Sequence, residues 1–339
     1  AVQSGGLVGG GNPADSTDPF SFSMTLGLAG GITSAVTGDA VAKLSFGTLE
    51  DHLLATNLWQ SISYDTRNPR GRARLRDALD EGRRHLAEKR AWELEKRTNP
   101  EAKEPTAPRG QAGQLLPLLT GESQALIGAD GAHEILQACE LAEEYGIRVI
   151  ILGGVEAWTV AERLGRAGAS VILRPRQTRE PDKNLVRENG STIQNAAILH
   201  AHGVPVAVTP AGSLFGGGSG ISLGGLAGRD NLHLPMAAAF AVRGGLSNAA
   251  AVRTITLDAA RILGVDDRVG SIDVGKDADL IITDGDLLSY QTGVRWTIVN
   301  GRIAYDKEKD TLFSHIRPAS PPEKDPADDY WPRRLGDGP

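Results

Sequence analysis

The sequence predicts an α/β fold built from parallel βα units. The first observation is a rhythm that sets in at residue 113. Short apolar runs at 124–129, 147–152, 169–173 and 204–208 alternate with helical stretches at 113–119, 132–145, 156–167 and 191–202. Strands separated by helices of roughly 10 to 15 residues read as parallel crossovers. The second observation is the punctuation. Gly146, Gly168 and Gly203 each follow a helical stretch, where a residue able to take the left-handed conformation closes a helix. The chain's 42 glycines supply many such turns.

In order along the chain, residues 1–18 read as an irregular Gly-, Ser- and Asn-rich segment. Phe20–Ala29 has helical spacing, Gly30-Gly31 breaks it, and residues 32–36 alternate like a strand. Residues 66–98 form a long, charge-dense helix whose apolar positions are Leu75, Leu79, Leu86 and Trp92. Acidic and basic residues interleave along it, so a solvated helix packed by one narrow stripe is expected rather than a nucleic-acid face. A polar, Pro-containing linker occupies 99–112. Ser191 is an N-cap candidate for the stretch 191–202. A Gly-rich loop covers 212–225, and helices are expected at 233–243 and 247–262.

Composition narrows the function classes. Of 339 residues, 40% are hydrophobic and 23% charged, the usual mix for a globular domain. The net charge of −6 gives no reason to expect nucleic acid. No apolar run approaches the roughly 20 residues of a membrane span. The single Cys139 excludes an internal disulfide and is expected as small core filler. The first residues carry no Met and no basic or apolar leader pattern, so a removed leader, with a periplasmic or secreted location, stays open.

The stretch Leu257–Tyr305 runs from an amphipathic helix ending Ala-Arg-Ile-Leu-Gly, through Gly-Ser-Ile-Asp-Val-Gly-Lys-Asp-Ala-Asp-Leu-Ile-Ile, to Trp-Thr-Ile-Val-Asn-Gly-Arg-Ile-Ala-Tyr. This resembles the C-terminal end of the amidohydrolase superfamily, in particular its imidazolonepropionase-like branch. The resemblance implies a (β/α)₈ TIM-type barrel with a small β-sandwich. The chain exceeds the roughly 250 residues of such a barrel. The expected domains are a barrel over 19–264 with a charged helical insertion at 66–112, a sandwich part over 265–308, and a Pro- and charge-rich tail over 309–339, where Tyr330-Trp331 could anchor to a surface. The barrel is expected to be incomplete. No strand 1 is recognisable, and the sandwich has only its C-terminal strands, so upstream sequence or a second chain would complete both.

The resemblance also implies a chemistry: hydrolysis of C–N bonds by a divalent metal such as zinc. His, Lys or Glu, and Asp ligands at the strand ends would lower the pKa of a bound water. At those stations the chain departs from the pattern. The strand-5 His positions fall on Gly128 and Asp130, the strand-6 His on Gly153, and the strand-8 Asp on Ala211. Glycine and alanine offer no lone pair, and one carboxylate makes no tight transition-metal site. No catalytic residue and no metal ligand set is therefore assigned. Lys43, Asp130, Glu156, Arg174, Thr209 and Ser213 are the pocket candidates. Lys43 could equally be an ordinary surface lysine.

Other motifs weigh less. His200-Ala201-His202 ends a helix ahead of a strand, at the pole opposite an active face, where a helix-end pair is favoured by the dipole. His52, His85, His133, His233 and His315 lack metal spacing. The glycines of 216–220 precede no Lys-Ser/Thr, so they form no P-loop. Arg174, Arg176 and Arg179 follow a strand and could hold an anion or form an ion-paired loop. The leading expectation is a non-catalytic subunit, a pseudoenzyme, in a homo- or hetero-oligomer, with an active relative as a candidate partner. The alternatives are an active C–N hydrolase with ligands upstream and an anion- or small-molecule-binding barrel.

Overall fold

The computed structural model describes residues 20, 22–37, 39–44, 47–48, 50–64, 68–210 and 234–309. Its centre is a parallel sheet of five strands: β4 (Trp59–Ile62), β5 (Gln124–Ala129), β6 (Val149–Gly153), β7 (Ser170–Leu173) and β8 (Val206–Val208), in that order across the sheet. A three-stranded antiparallel sheet precedes it: β1 (Ser34–Thr37), β2 (Ala40–Lys43) and β3 (Leu53–Ala55). A second one follows: β9 (Leu280–Thr283), β10 (Val294–Val299) and β11 (Arg302–Asp306), ordered β11-β10-β9. The fold is thus mixed α/β around a parallel sheet of five strands among the described residues.

The central strands read as unbroken apolar runs because both faces are covered. Ala125, Ile127 and Ala129 of β5 point to one face, where Val149, Ile151, Val171, Leu173, Val206 and Val208 join them. Helices cover this face: α2 (Pro69–Glu95), α3 (Gln111–Gln114), α4 (Leu116–Thr120), α5 (Ala132–Tyr145), α6 (Ala161–Ala167), α7 (Asn195–Ala201), α8 (Leu234–Arg243) and α9 (Asn248–Thr254). Leu126, Ile150, Leu152 and Ala207 point the other way, onto Val41 of β2 and onto Ala260, Ile262, Val265 and Val269 from α10 (Leu257–Leu263) and its following loop. The Gln124 amide donates to the Ile262 carbonyl at 2.9 Å and fixes the end of α10 under the sheet.

The charged helix forms as its spacing predicts. Asn68 caps it, its side chain accepting from Gly71 N at 2.9 Å, and Pro69 opens it. Its buried stripe is Leu75, Ala78, Leu79, Gly82 and His85. A Cβ at Gly82 would lie 2.8 Å from Leu119 Cδ1, so this glycine sets how closely α4 approaches. Cys139 is fully buried in the same core. Burial pushes its thiol up to about 11.

Several expected helices break. Residues 113–119 give the two short helices α3 and α4, because Pro117 cannot continue the hydrogen-bond ladder of the first. The stretch 156–167 is a 3₁₀ turn (Ala157–Val160) followed by α6. The stretch 247–262 splits into α9 and α10, with Ile255 and Thr256 between them. Ser191 does not cap α7: the N-cap is Gln194, and the Ser191 hydroxyl accepts from Arg179 N at 2.9 Å.

The C-terminal sheet is held in two ways. Helix α1 (Phe22–Ala29) packs Met24, Leu26 and Leu28 into a cluster with Val299 and Tyr305. Thr297 Oγ1 donates to the Leu28 carbonyl at 2.6 Å. Lys43, at the end of β2, is fully buried and reaches Asp277 Oδ2 at 2.6 Å, Asp279 Oδ1 at 3.3 Å and the Asn300 side-chain oxygen. Arg268 adds contacts to Asp277 and Asp51 at 2.8 and 2.7 Å. Burial would push the Asp277 carboxyl up, but the Lys43 and Arg268 charges outweigh it and hold it low. Among the described residues no helix is long and apolar enough to cross a membrane.

Candidate functional site

In a sheet of parallel strands the C-terminal strand ends face one pole, and the connecting loops there carry function. β5 ends at Ala129, so Asp130 stands at that pole. β6 does not stop cleanly. Gly154 N donates to the Ala129 carbonyl at 2.8 Å and Glu156 N to the Asp130 carbonyl at 2.9 Å. This extension brings Glu156 beneath the loop that follows β7.

Glu156 is buried, and its carboxylate is fully engaged. It accepts from Ala132 N at 3.1 Å, Gly190 N at 3.1 Å and Arg187 Nη2 at 2.8 Å, with Arg179 Nη1 at 4.0 Å. Burial pushes its carboxyl up, but the two backbone N–H groups and Arg187 prevail and set it below the ordinary value. The Trp158 indole N–H donates to the Gly190 carbonyl at 3.0 Å. The loop 174–194 is therefore fastened to Glu156, which acts as an anchor rather than an open ligand. Arg176 lies over the Phe240 ring at 5.6 Å. Of the three arginines read as a possible anion loop, Arg179 takes the ion-paired alternative.

Asp130 faces the strand-6 glycine. A Cβ at Gly153 would lie 2.3 Å from Asp130 Oδ1, and Gly153 has φ +107°. A side chain at 153 would have to displace the Asp130 carboxylate from its present position. Asp130 Oδ2 accepts from Gln177 Nε2 at 3.5 Å, and its Oδ1 is buried without a partner. Arg174, Gln177 and Asn195 line a cavity of about 20 Å³ beside Gly153. Arg174 Nε, Gln177 Oε1 and Asn195 Oδ1 are each buried without a hydrogen-bond partner. Such a space matches one water-sized body with several polar neighbours. Asn195 is fixed there by its amide, which donates to the Gly154 and Val155 carbonyls at 2.8 and 3.2 Å.

A divalent metal does not fit this donor set. Zinc takes three or four ligands from His, Cys, Asp and Glu side chains. With Glu156 engaged, the strand ends offer one carboxylate, two neutral amide oxygens and a guanidinium nitrogen that would repel a cation. Gly128 at the end of β5 contributes no side chain. Among the described residues no three His, Cys, Asp or Glu converge on a point that could hold a metal ion.

Sequence reasoning thus brought Asp130, Gly153, Glu156 and Arg174 to one pole, and the structure gathers them there. It missed Gln177, Arg187, Gly190 and Asn195, which come from the long loop after β7 and the start of α7. Their one signal was the length of that polar connection. Lys43 does not join the group, because its charge is drawn into the Asp277–Asp279 cluster. Thr209 follows β8, with its N donating to the Leu173 carbonyl at 2.8 Å, and lines a separate apolar cavity of about 440 Å³ with Ser34, Ile172 and Ala259. Ala211, Ser213, the glycines of 216–220, the N-terminal segment, and Tyr330-Trp331 lie outside the described residues.

Residues 150–311 match the model of the amidohydrolase family. Over this segment, just under half of the chain, the sequence resembles the amidohydrolase family. An amidohydrolase from Thermotoga maritima MSB8 is similar in structure, with a TM-score of 0.63 at 20% identity, covering 87% of this chain and 77% of that one. A prolidase complexed with N-methylphosphonate-L-proline overlaps less, with a TM-score of 0.42 at 19% identity over 60% of this chain and 52% of that one. An adenosine deaminase from Xanthomonas campestris with bound zinc gives 0.31 at 19% identity over 53% and 51%. The chain thus shares its fold with the Thermotoga protein and spans about half the length of the other two. No curated protein matches it.

Proposed function

We propose that this chain is a non-catalytic member of the amidohydrolase superfamily that works as a subunit or partner of an active relative. One observation carries the reading. The position where a ligand histidine would stand is Gly153, and its side-chain space is taken by Asp130 Oδ1. Two further features support it: Glu156 is committed to backbone N–H groups and Arg187, and Gly128 offers no ligand. In the same reading the five-stranded sheet is part of a (β/α)₈ barrel, and β9–β11 are part of a composite sandwich.

The test is elemental analysis of purified protein together with a hydrolysis screen on cyclic amides, ureas and dipeptides. The expected result is less than about one tenth of an equivalent of Zn, Ni, Mn or Fe and no turnover. Stoichiometric metal with turnover would overturn the reading in favour of an active C–N hydrolase whose ligands lie outside the described residues.

A further inference from the structure

The opposite pole of the sheet, where the parallel strands begin, carries a cleft of about 390 Å³. Gln124, Arg148, Ser170, His200, Arg253, Asp258 and Arg261 line it. Three arginines and a single carboxylate are thus among its lining residues. Asp258 Oδ1 accepts from Arg253 Nε at 3.3 Å and Nη2 at 2.8 Å, and stands 3.7 Å from Arg261 Nη1. The lone carboxylate therefore holds two arginines side by side without matching their charge. Arg261 has a second acidic neighbour, Asp266 Oδ2 at 3.7 Å, which still leaves positive charge in excess. Arg148 enters from the start of β6, with its Nη2 donating to the Gly121 carbonyl at 2.6 Å. The Asp258 and Gly121 contacts orient the forks of Arg253 and Arg148 before any ligand arrives, which lowers the ordering cost of binding.

We propose that this cleft binds a small oxyanion, namely the phosphate group of a phosphate monoester. The reasons are charge, shape and place. Planar guanidinium forks match phosphate oxygens in pairs. A cleft of this volume lies within the usual range for small-molecule sites. The residues come from β6, α7, α9 and α10, so the site is assembled by tertiary structure rather than by one charged helix face. It stands apart from the C-terminal strand ends and does not rest on the reading proposed for them.

Isothermal titration of the full chain with phenyl phosphate and with inorganic phosphate at low ionic strength tests the assignment. Saturable one-site binding of phenyl phosphate is expected, with none for phenol. Arg148→Ala should weaken it about tenfold or more, as for loss of a charged hydrogen bond. Arg148→Lys, which keeps the charge but not the fork, should fall between. Neither substitution touches the Asp258 cluster, so the fold is retained and circular dichroism checks this. The proposal is overturned by absence of binding, by an isotherm that Arg148→Ala leaves unchanged, or by a heat that chloride reproduces at equal ionic strength.

Discussion

The two poles of the central sheet are both rich in arginine, and they use it in opposite ways. At the C-terminal strand ends Arg179 and Arg187 converge on the buried Glu156, and the loop 174–194 closes over the remaining polar atoms until only about 20 Å³ is left. At the N-terminal strand ends Arg148, Arg253 and Arg261 face a cleft of about 390 Å³ with one carboxylate among them. The difference teaches that the ends of β5, β6 and β7 are packed around their arginines, while the opposite pole leaves its arginines on an open cleft. Charge counts alone would not separate them. Burial and the number of acceptors per arginine do.

The largest expected effect is at the packed pole. Gly153→Ala adds one methyl group at the Asp130 carboxylate and forces a side chain onto φ +107°. Strain and overpacking together should cost about 2–4 kcal/mol, read as a lower urea midpoint. If the midpoint stays put, the steric exclusion between 153 and 130 is not real. Glu156→Ala comes next. It strands the Ala132 and Gly190 N–H groups and Arg187, and should cost about 2–3 kcal/mol.

The Glu156 carboxyl also sets a pH dependence. Its folded value lies below the unfolded one, so its contribution is complete above the unfolded value of about 4.3 and is lost as pH falls through the folded value. The stability gap between wild type and Glu156→Gln should therefore narrow as pH is lowered from 6 toward 3. A gap that widens on acidification contradicts the assignment.

At the open pole Arg148→Ala should leave stability nearly unchanged while weakening phosphate binding about tenfold, or about 1.4 kcal/mol. This is the sharpest contrast available, since the same residue type acts on folding at one end and on ligand at the other. The smallest effect is Asp130→Asn. One of its oxygens has no partner, so removing the charge should shift stability by less than about 1 kcal/mol, measured by the same urea titration.

The sequence made one layer of this molecule readable and hid another. The βα rhythm, the charged helix read over 66–98 and the C-terminal stretch rest on local spacing, and β5, β6, β7 and α2 lie close to where spacing puts them. Helix breaks such as Ile255-Thr256 were hidden because no Gly or Pro marks them. Lys43 was misplaced because its partners Asp277, Asp279 and Asn300 lie more than two hundred residues away, with separations of 236 and 257 for the last two. The basic cleft was invisible for the same reason. Arg148, His200, Arg253 and Arg261 belong to four elements. A usable hint was that Arg148 and His200 each sit just ahead of a strand, which places both at one pole.

The opposition between Gly153 and Asp130 has a consequence for redesign. A histidine placed at 153 in the present background meets a carboxylate oxygen. With Asp130 removed first, the same histidine still inherits a left-handed backbone. No single substitution leads from this strand end to a metal ligand, and the first useful step is one that gains nothing by itself. A library of point variants selected for metal uptake should therefore return no winners at position 153, whereas recombination of the whole β5–β6 segment could cross the gap in one move.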